Sequence, residues 1–365
     1  MRLRLEQRPQ ASSTWRWLSP VLAVVLTLLT GALMFALLGQ DVLRALEVFL
    51  VNPMKSRYAW SELLLKATPL AICAAGLAIG FRANVWNIGA EGQFIVGAIT
   101  ATVIALYVDA GHVITLTLMM LAGVLGGAAW AGIAAWLKNQ FNANEILVSL
   151  MLVYVANLLA SWLVFGPLRD PMGLNFPQTV MFEDYALLPV ILTGTRLNMI
   201  LWVTIGVLIA TYILMYRTEL GFRMRLAGES AQAARYAGIS AHRMVWLGLL
   251  IGGGCAGLAG MAEVAGPMGQ LTDRISNGYG FAAIIVAFVG RLSPLGIALA
   301  SLVMALFFIG GEQSQQYLGL PGSISMVFQG LLLFYLLACD VLIRFRVTVG
   351  SKRAAQATRS VQASS

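Results

Sequence analysis

Long apolar runs separated by short polar segments make up most of this chain. A helix needs about 20 predominantly apolar residues to cross the hydrocarbon core of a bilayer. The runs predict membrane-spanning helices at about 17–38, 60–80, 94–108, 113–137, 146–165, 197–216, 244–264, 295–310 and 321–343. A shorter run, 281–290, is either a tenth crossing or a broken or re-entrant helix.

Composition places the chain among helical membrane proteins. It is 59% hydrophobic and 11% charged, with a mean hydropathy of +0.80, whereas soluble domains are about 45–50% apolar and about 25% charged. We predict an all-α, polytopic transmembrane helical bundle of about ten spans. Cys73, Cys255 and Cys339 fall inside apolar runs, so we expect them to be reduced packing residues.

The net charge of +8 indicates the orientation of the spans and does not indicate nucleic-acid binding, because the basic residues cluster at the ends of the apolar runs. Cytoplasmic loops of membrane proteins carry an excess of Lys and Arg. Ten crossings from a cytoplasmic N-terminus place most of the 24 basic residues inside, and both termini are then cytoplasmic. The expected organisation is a basic cytoplasmic leader (1–16), a transmembrane domain (17–346) and a disordered cytoplasmic tail (347–365).

The segment 217–243, called the basic segment below, is an arginine-rich loop that contains a helix-forming stretch. We predict one helix over 229–237, with Glu229 in its first turn, where the helix dipole favours an anion. Gly238 should follow with positive φ, and Ser240 should cap the next span. The helix offers a small face with one aromatic and one basic anchor for a groove on another protein: Ala231, Ala233, Ala234, Ala237, Tyr236 and Arg235. An ordinary interfacial helix is the alternative, because basic amphipathic helices commonly lie on membranes.

The stretch FRANVWNIGAEGQF, at 81–94, is the least apolar part of the early spans. We predict a pathway or gate role for five of its side chains: Asn84, Trp86, Asn87, Glu91 and Gln93. Non-helical backbone is tolerated at membrane depth where it faces protein or water. The alternative is a cytoplasmic turn that only shapes the fold, which the charge of Arg82 favours.

Several kinds of protein are excluded by missing motifs. Gly-Lys occurs nowhere, so the chain has no P-loop of its own, and H-E-x-x-H is absent. We predict no catalytic residue, no metal site and no bound cofactor. Acidic residues inside spans are functional candidates by default, and the candidates are Glu62, Glu91, Glu263 and Asp340.

Two motifs carry a resemblance to a known family. FRANVWNIGAEGQ (81–93) and GESAQAARYAGI (228–239) resemble segments of permease subunits of ATP-binding-cassette importers, in the nucleoside/simple-sugar branch of the branched-chain amino acid/ribose-type permease family. The resemblance covers roughly 60–343. It implies that the basic segment couples the permease to its ATPases through Gly228, Glu229, Ala234, Arg235, Tyr236, Ala237 and Gly238.

The resemblance also implies a transporter subunit rather than an enzyme, with ATP hydrolysis on partner chains. The expected partners are two ATP-binding cassette ATPase subunits, a second permease that forms a heterodimer or a homodimer, an extracytoplasmic substrate-binding protein and the lipid bilayer. The expected location is the bacterial cytoplasmic (inner) membrane. We predict nucleosides as the solute, with simple sugars as the alternative. An ion-coupled secondary transporter is less favoured, because it has no use for a coupling loop.

Overall fold

The computed structural model describes residues 2–7 and 13–350, and these are mainly helical. The helices are α1 (Ser13–Leu37), α2 (Val42–Leu46), α3 (Arg57–Arg82), α4 (Ala90–Tyr107), α5 (His112–Phe141), α6 (Glu145–Phe165), α7 (Ile200–Arg217), α8 (Glu219–Glu229), α9 (Ala231–Tyr236), α10 (Ala241–Glu263), α11 (Tyr279–Val289), α12 (Pro294–Leu318) and α13 (Ile324–Arg344). Single turns of π- or 3₁₀-helix occur at Glu47–Val51, Asn52–Met54, Asp184–Ala186 and Val264–Met268. Two compact units are present, one formed by Met1–Glu47 with Ser314–Ser365 and the other by Val48–Gln313.

Nine helices in the described residues are long and apolar enough to cross a membrane, which confirms the predicted polytopic helical fold. The tenth apolar run forms α11, a helix of 11 residues. Such a helix is about 16 Å long, whereas the hydrocarbon core is about 30 Å thick. Helix α11 therefore reaches only part of the way across.

Helix α11 runs parallel to α3. The hydroxyl of Tyr279, its first residue, accepts a hydrogen bond from Lys66 Nζ of α3 at 2.9 Å. At its other end, the ring of Phe288 stacks on Phe81 of α3 with centroids 5.2 Å apart. The chain therefore returns between α10 and α12 to the side where α3 ends, as an even number of crossings requires.

The first unit is a helical hairpin closed by two strands. Helices α1 and α13 pack antiparallel, with the hydroxyls of Thr30 and Tyr335 2.6 Å apart. Strand β1 (Arg2–Gln7) pairs antiparallel with β2 (Phe345–Gly350), so these two short segments lie side by side. The sequence analysis did not predict these strands. Residues 351–365 of the predicted disordered tail lie outside the described residues.

The second unit is built around α3 and the glycine-rich α10. More of α3 is buried than of any other candidate span in the described chain. A Cβ added at Gly80 would lie 3.3 Å from the carbonyl oxygen of Gly248 in α10, and one added at Gly123 would lie 3.0 Å from that of Gly257. Glycine at these positions therefore allows α3, α5 and α10 to pack closely.

The span predicted at about 295–310 is too short, because α12 continues to Leu318. Glutamate and glutamine are good helix formers, so the polar residues after Gly311 prolong the helix. It stops where Gly319 takes a φ of +65°, the left-handed conformation that commonly ends helices. Glu312 is therefore a helical residue.

Candidate functional site

The basic segment contains two helices where one was predicted. Helix α8 ends at Glu229, Ser230 is extended with φ −153° and ψ 106°, and α9 begins at Ala231. The hydroxyl of Ser230 accepts a hydrogen bond from the amide of Ala233 at 3.2 Å, which makes Ser230 the N-cap of α9. Glu229 thus lies at the C-terminal end of α8, not in the first turn of a helix over 229–237, and that part of the prediction is wrong.

The end of α9 agrees with the sequence. Gly238 has a φ of +73°, and its amide donates to the carbonyl of Arg235 at 3.0 Å. The amide of Ile239 donates to the carbonyl of Ala234 at 2.9 Å. Ser240 then caps α10 by accepting from the amide of Arg243 at 3.5 Å. The predicted helix end at Gly238 and the predicted N-cap of the next span at Ser240 are confirmed.

Helix α9 has one buried and one exposed side. Ala234 is only 4% exposed, whereas Tyr236 is 94% exposed. Arg235 and Ala237 are exposed as well, and the side chain of Ala231 lies outside the described part of the structure. The exposed surface of α9 therefore carries an aromatic ring and a guanidinium beside small residues.

Helix α8 connects this surface to the spans through two glycines. Any Cβ at Gly228 would overlap the carbonyl oxygen of Arg82, the last residue of α3, and any Cβ at Gly221 would overlap that of Leu214 in α7. The guanidinium of Arg82 also donates to the hydroxyl of Tyr216 in α7. Helix α8 is therefore in direct backbone contact with α3 and α7.

The stretch after α3 begins with a helix cap. Asn84 takes a φ of +57°, and the amide of Val85 donates to the carbonyl of Gly80 at 3.0 Å. The Asn84 carbonyl oxygen Oδ1 accepts from Trp86 Nε1 at 3.0 Å. The Trp86 ring then stacks on Phe288 of α11, with centroids 5.9 Å apart. These two predicted pathway residues therefore lie at the end of α3, beside the end of α11.

Asn87 and Gln93 form a closed pair of amides. Asn87 Nδ2 donates to Gln93 Oε1 at 2.8 Å, and Gln93 Nε2 donates to Asn87 Oδ1 at 2.9 Å. Both residues are buried, and Asn87 Oδ1 also accepts from the amide of Gly89 at 3.1 Å. A Cβ on Gly252 of α10 would lie 3.1 Å from Asn87 Nδ2, so glycine leaves room for the pair.

Glu91 holds the beginning of α11. Its carboxylate is buried, accepting from the amides of Gly278 at 3.1 Å and Gly280 at 2.7 Å. The first amides of a helix have no partner within it, and the helix dipole favours an anion there. Asn87, Glu91 and Gln93, called the buried clamp below, therefore fix the first turns of α4 and α11 against each other.

The structure brings together three of the five predicted pathway residues and leaves Asn84 and Trp86 at the end of α3. Each member of the buried clamp has its hydrogen-bond partners within this chain. Sequence reasoning recognised the polar character of the stretch. It missed the partners Gly278 and Gly280, which lie far away along the chain and carry no side chain to signal the contact.

Sequence reasoning also missed a charged cluster of four residues. It consists of Lys66 in α3, Glu263 at the end of α10, Tyr279 at the start of α11 and Glu312 in α12. Lys66 Nζ lies 3.1 Å from Glu312 Oε1 and 2.9 Å from the Tyr279 hydroxyl. The available signal was a lysine within the apolar run 60–80.

Comparisons with known proteins agree with the resemblance to permease subunits of ATP-binding-cassette importers. A sequence profile of the family described as branched-chain amino acid transport system, permease component, matches residues 59–337. A glucose ABC transporter permease protein of Haloferax volcanii is 35% identical over 96% of this chain and 95% of its own length. A guanosine ABC transporter permease protein of Bacillus subtilis is 25% identical over 90% of this chain and 94% of its own length. A nucleoside ABC transporter permease protein of Lactococcus lactis is 25% identical over 89% of this chain and 92% of its own length.

Proposed function

Because this chain belongs to the permease family of branched-chain amino acid transport systems and is a multi-pass ABC transporter subunit rather than an enzyme, we propose that it forms part of the pathway of an importer for simple sugars or nucleosides. Its partners are two ATPase subunits, a second permease and an extracytoplasmic substrate-binding protein. The complex lies in the cytoplasmic (inner) membrane of a bacterium.

The observation that carries the coupling role is the exposure of Tyr236, 94%, on a short helix capped at both ends. Interface hot spots are enriched in tyrosine and arginine, and Arg235 is the neighbouring exposed residue. We assign this surface of α9 to the groove of an ATPase, with Glu229, Ala237 and Gly238 around it. When ATP binding draws the ATPases together, α9 moves with them.

Helix α8 transmits that movement. Gly228 packs against the end of α3 and Gly221 against α7, so α8 lies directly against the backbone of a span at both places. Close-packed interiors transmit displacement because they have little room to deform. ATP thereby favours one of two arrangements of the spans by binding that arrangement more tightly.

The pathway or gate role of 84–93 is exerted through α11. The buried clamp fixes the first turn of α11, and Trp86 meets Phe288 near its last turn. Helix α11 crosses only part of the membrane, and irregular backbone at that depth is tolerated where it lines a cavity. A small shift of α11 would then open or close the side of the pathway where α3 ends.

For the solute, we place simple sugars first and nucleosides second, which reverses the order predicted from the sequence. The relative that is 35% identical is named for glucose. Relatives that are 25% identical are named for guanosine and nucleosides, and the NIGAEGQ run favours the second class. A sugar ring is common to both classes.

The test is ATP hydrolysis by the purified complex in nanodiscs, with binding protein loaded with glucose or with guanosine. We expect stoichiometric ATPase subunits and stimulation by one loaded form. Stimulation by guanosine alone would return nucleosides to first place. Absence of any associated ATPase would contradict the coupling role of α9 and the import function with it.

A further inference from the structure

The charged cluster has one cation for two carboxylates. Lys66 and Arg196 are the cations of the described chain that act electrostatically on Glu263. Arg196 is already paired with the carboxylate of Glu62. Lys66 is ion-paired with Glu312 and donates a hydrogen bond to the Tyr279 hydroxyl, and it is the cation near Glu263 that no carboxylate outside the cluster holds.

The cluster lies where the form of two helices changes. Glu263 is the last α-helical residue of α10 before the π-helical turn Val264–Met268, and Tyr279 is the first residue of the short α11. In membrane transporters, solute sites form where helices are discontinuous and their ends face a cavity. Ionisable side chains within spans also face a cavity or the bundle interior rather than lipid. Both arguments favour a position of the cluster beside the solute path.

Glu312 is the most exposed member of the cluster. Its side chain is 51% exposed, whereas that of Lys66 is 19% exposed, and Glu263 and Tyr279 are buried. A carboxylate accepts about four hydrogen bonds. Lys66 lies against one oxygen of Glu312, which leaves acceptor sites on an exposed group whose position the ammonium fixes.

The chemistry of the cluster selects among solutes. The two carboxylates outnumber the ammonium and repel an anion, and the ammonium beside Glu312 weakens the attraction of that carboxylate for a cation, so an uncharged hydrogen-bond donor fits the cluster. Adjacent hydroxyl groups of a sugar ring donate two hydrogen bonds side by side, and the two oxygens of one carboxylate accept them. Hydrogen bonds to a charged partner are stronger than those between neutral groups.

We infer that Glu312, positioned by Lys66, contacts two adjacent hydroxyls of an uncharged sugar or ribosyl group during passage. The inference rests on the proposed import function and assigns a solute-contacting residue to it. Lys66 acts as a positioning residue, and Tyr279 orients its ammonium. The shared ligand chemistry is a vicinal diol, supplied by a free sugar or by the ribose of a nucleoside.

The experiment measures ATP-driven uptake by the complete complex with its binding protein in proteoliposomes. Two pairs of labelled solutes are compared: D-glucose with 2,3-dideoxyglucose, and guanosine with 2′,3′-dideoxyguanosine. Each pair gives a ratio, the uptake rate of the diol divided by that of its dideoxy analogue. Discrimination by the binding protein cancels when this ratio is compared between the unmodified complex and a variant. We expect Glu312→Gln to lower the ratio by about tenfold for the transported pair. The affected pair identifies the source of the diol.

The matched control is Glu145→Gln, which neutralises a carboxylate of α6 that is ion-paired with Lys138 and should leave the ratio unchanged. If Glu312 served only as a structural ion pair, both solutes of a pair would slow equally. An unchanged ratio with Glu312→Gln would therefore overturn the inference, as would transport of neither diol by the unmodified complex. In both cases stimulated ATP hydrolysis by associated ATPases would leave the proposed import function standing, whereas its absence would remove that function instead.

Discussion

The basic segment and the buried clamp are both polar interruptions between apolar runs, yet their side chains are satisfied in opposite ways. In the clamp, the amides of Asn87 and Gln93 pair with each other, and Glu91 accepts from two backbone amides. On α9, Tyr236 and Arg235 extend from the surface. A polar segment with internal partners determines the position of helices, whereas one without them is available to another molecule.

The largest expected effect comes from Glu91→Ala, which breaks the clamp. It leaves the first amides of α11 buried without an acceptor, at a cost of about 3 kcal/mol. We expect a marked fall in the thermal unfolding temperature of the purified subunit. The temperature is measured by heating samples and determining by size-exclusion chromatography how much folded protein remains. Glu229→Ala, an exposed carboxylate at the end of α8, is the control. Equal stability of the two variants would mean that Glu91 does not hold α11.

Gly228→Val tests the connection between the spans and the basic segment. The added side chain must displace α8 from the carbonyl of Arg82, and overpacking of this kind costs about 1–3 kcal/mol. We expect the ATPases to remain bound while uptake per ATP hydrolysed falls. Gly206→Val is the control, because that glycine in α7 has open space beside it. Unchanged coupling would show that movement does not pass through α8.

Tyr236→Ala addresses the exposed surface alone. Truncation of a hot-spot tyrosine costs about 2 kcal/mol of binding free energy, so we expect affinity for the ATPase to fall about thirtyfold with no change in thermal stability. Titration of detergent-purified subunits measures this affinity. Tyr154→Ala, an exposed tyrosine of α6, should leave it unchanged. Wild-type affinity with Tyr236→Ala would refute docking through α9.

The smallest expected effect is that of Gly238→Ala. The left-handed conformation costs an L-residue about 1–2 kcal/mol, and this cost is confined to the end of α9. We expect slightly weaker ATPase binding and unchanged thermal stability of the spans. Ala237→Gly, which adds no strain, provides the comparison. A loss of stability as large as that of Glu91→Ala would show that α9 is part of the helical core.

Local signals were sufficient for much of the basic segment. Gly238 and Ser240 were predicted in their observed roles, because a cap depends on residues close together in sequence. The single predicted helix failed at Ser230 for a reason that is also local. Its hydroxyl begins a new helix by accepting from the amide of Ala233, and the helix propensity of 229–237 outweighed that signal in the prediction.

The sequence by itself determined the class of protein and nearly all the spans, since the number of apolar residues needed to cross a bilayer is fixed by its thickness. Glycines in these spans leave room for close contact between backbones, as between Gly80 and Gly248 and between Gly123 and Gly257. Only the tertiary structure decided that Glu91 meets the amides of Gly278 and Gly280, and that Lys66 meets Glu312. These partners are more than 180 residues apart, and a hydrogen bond or ion pair depends on atoms within a few ångströms, which no periodicity along the chain encodes.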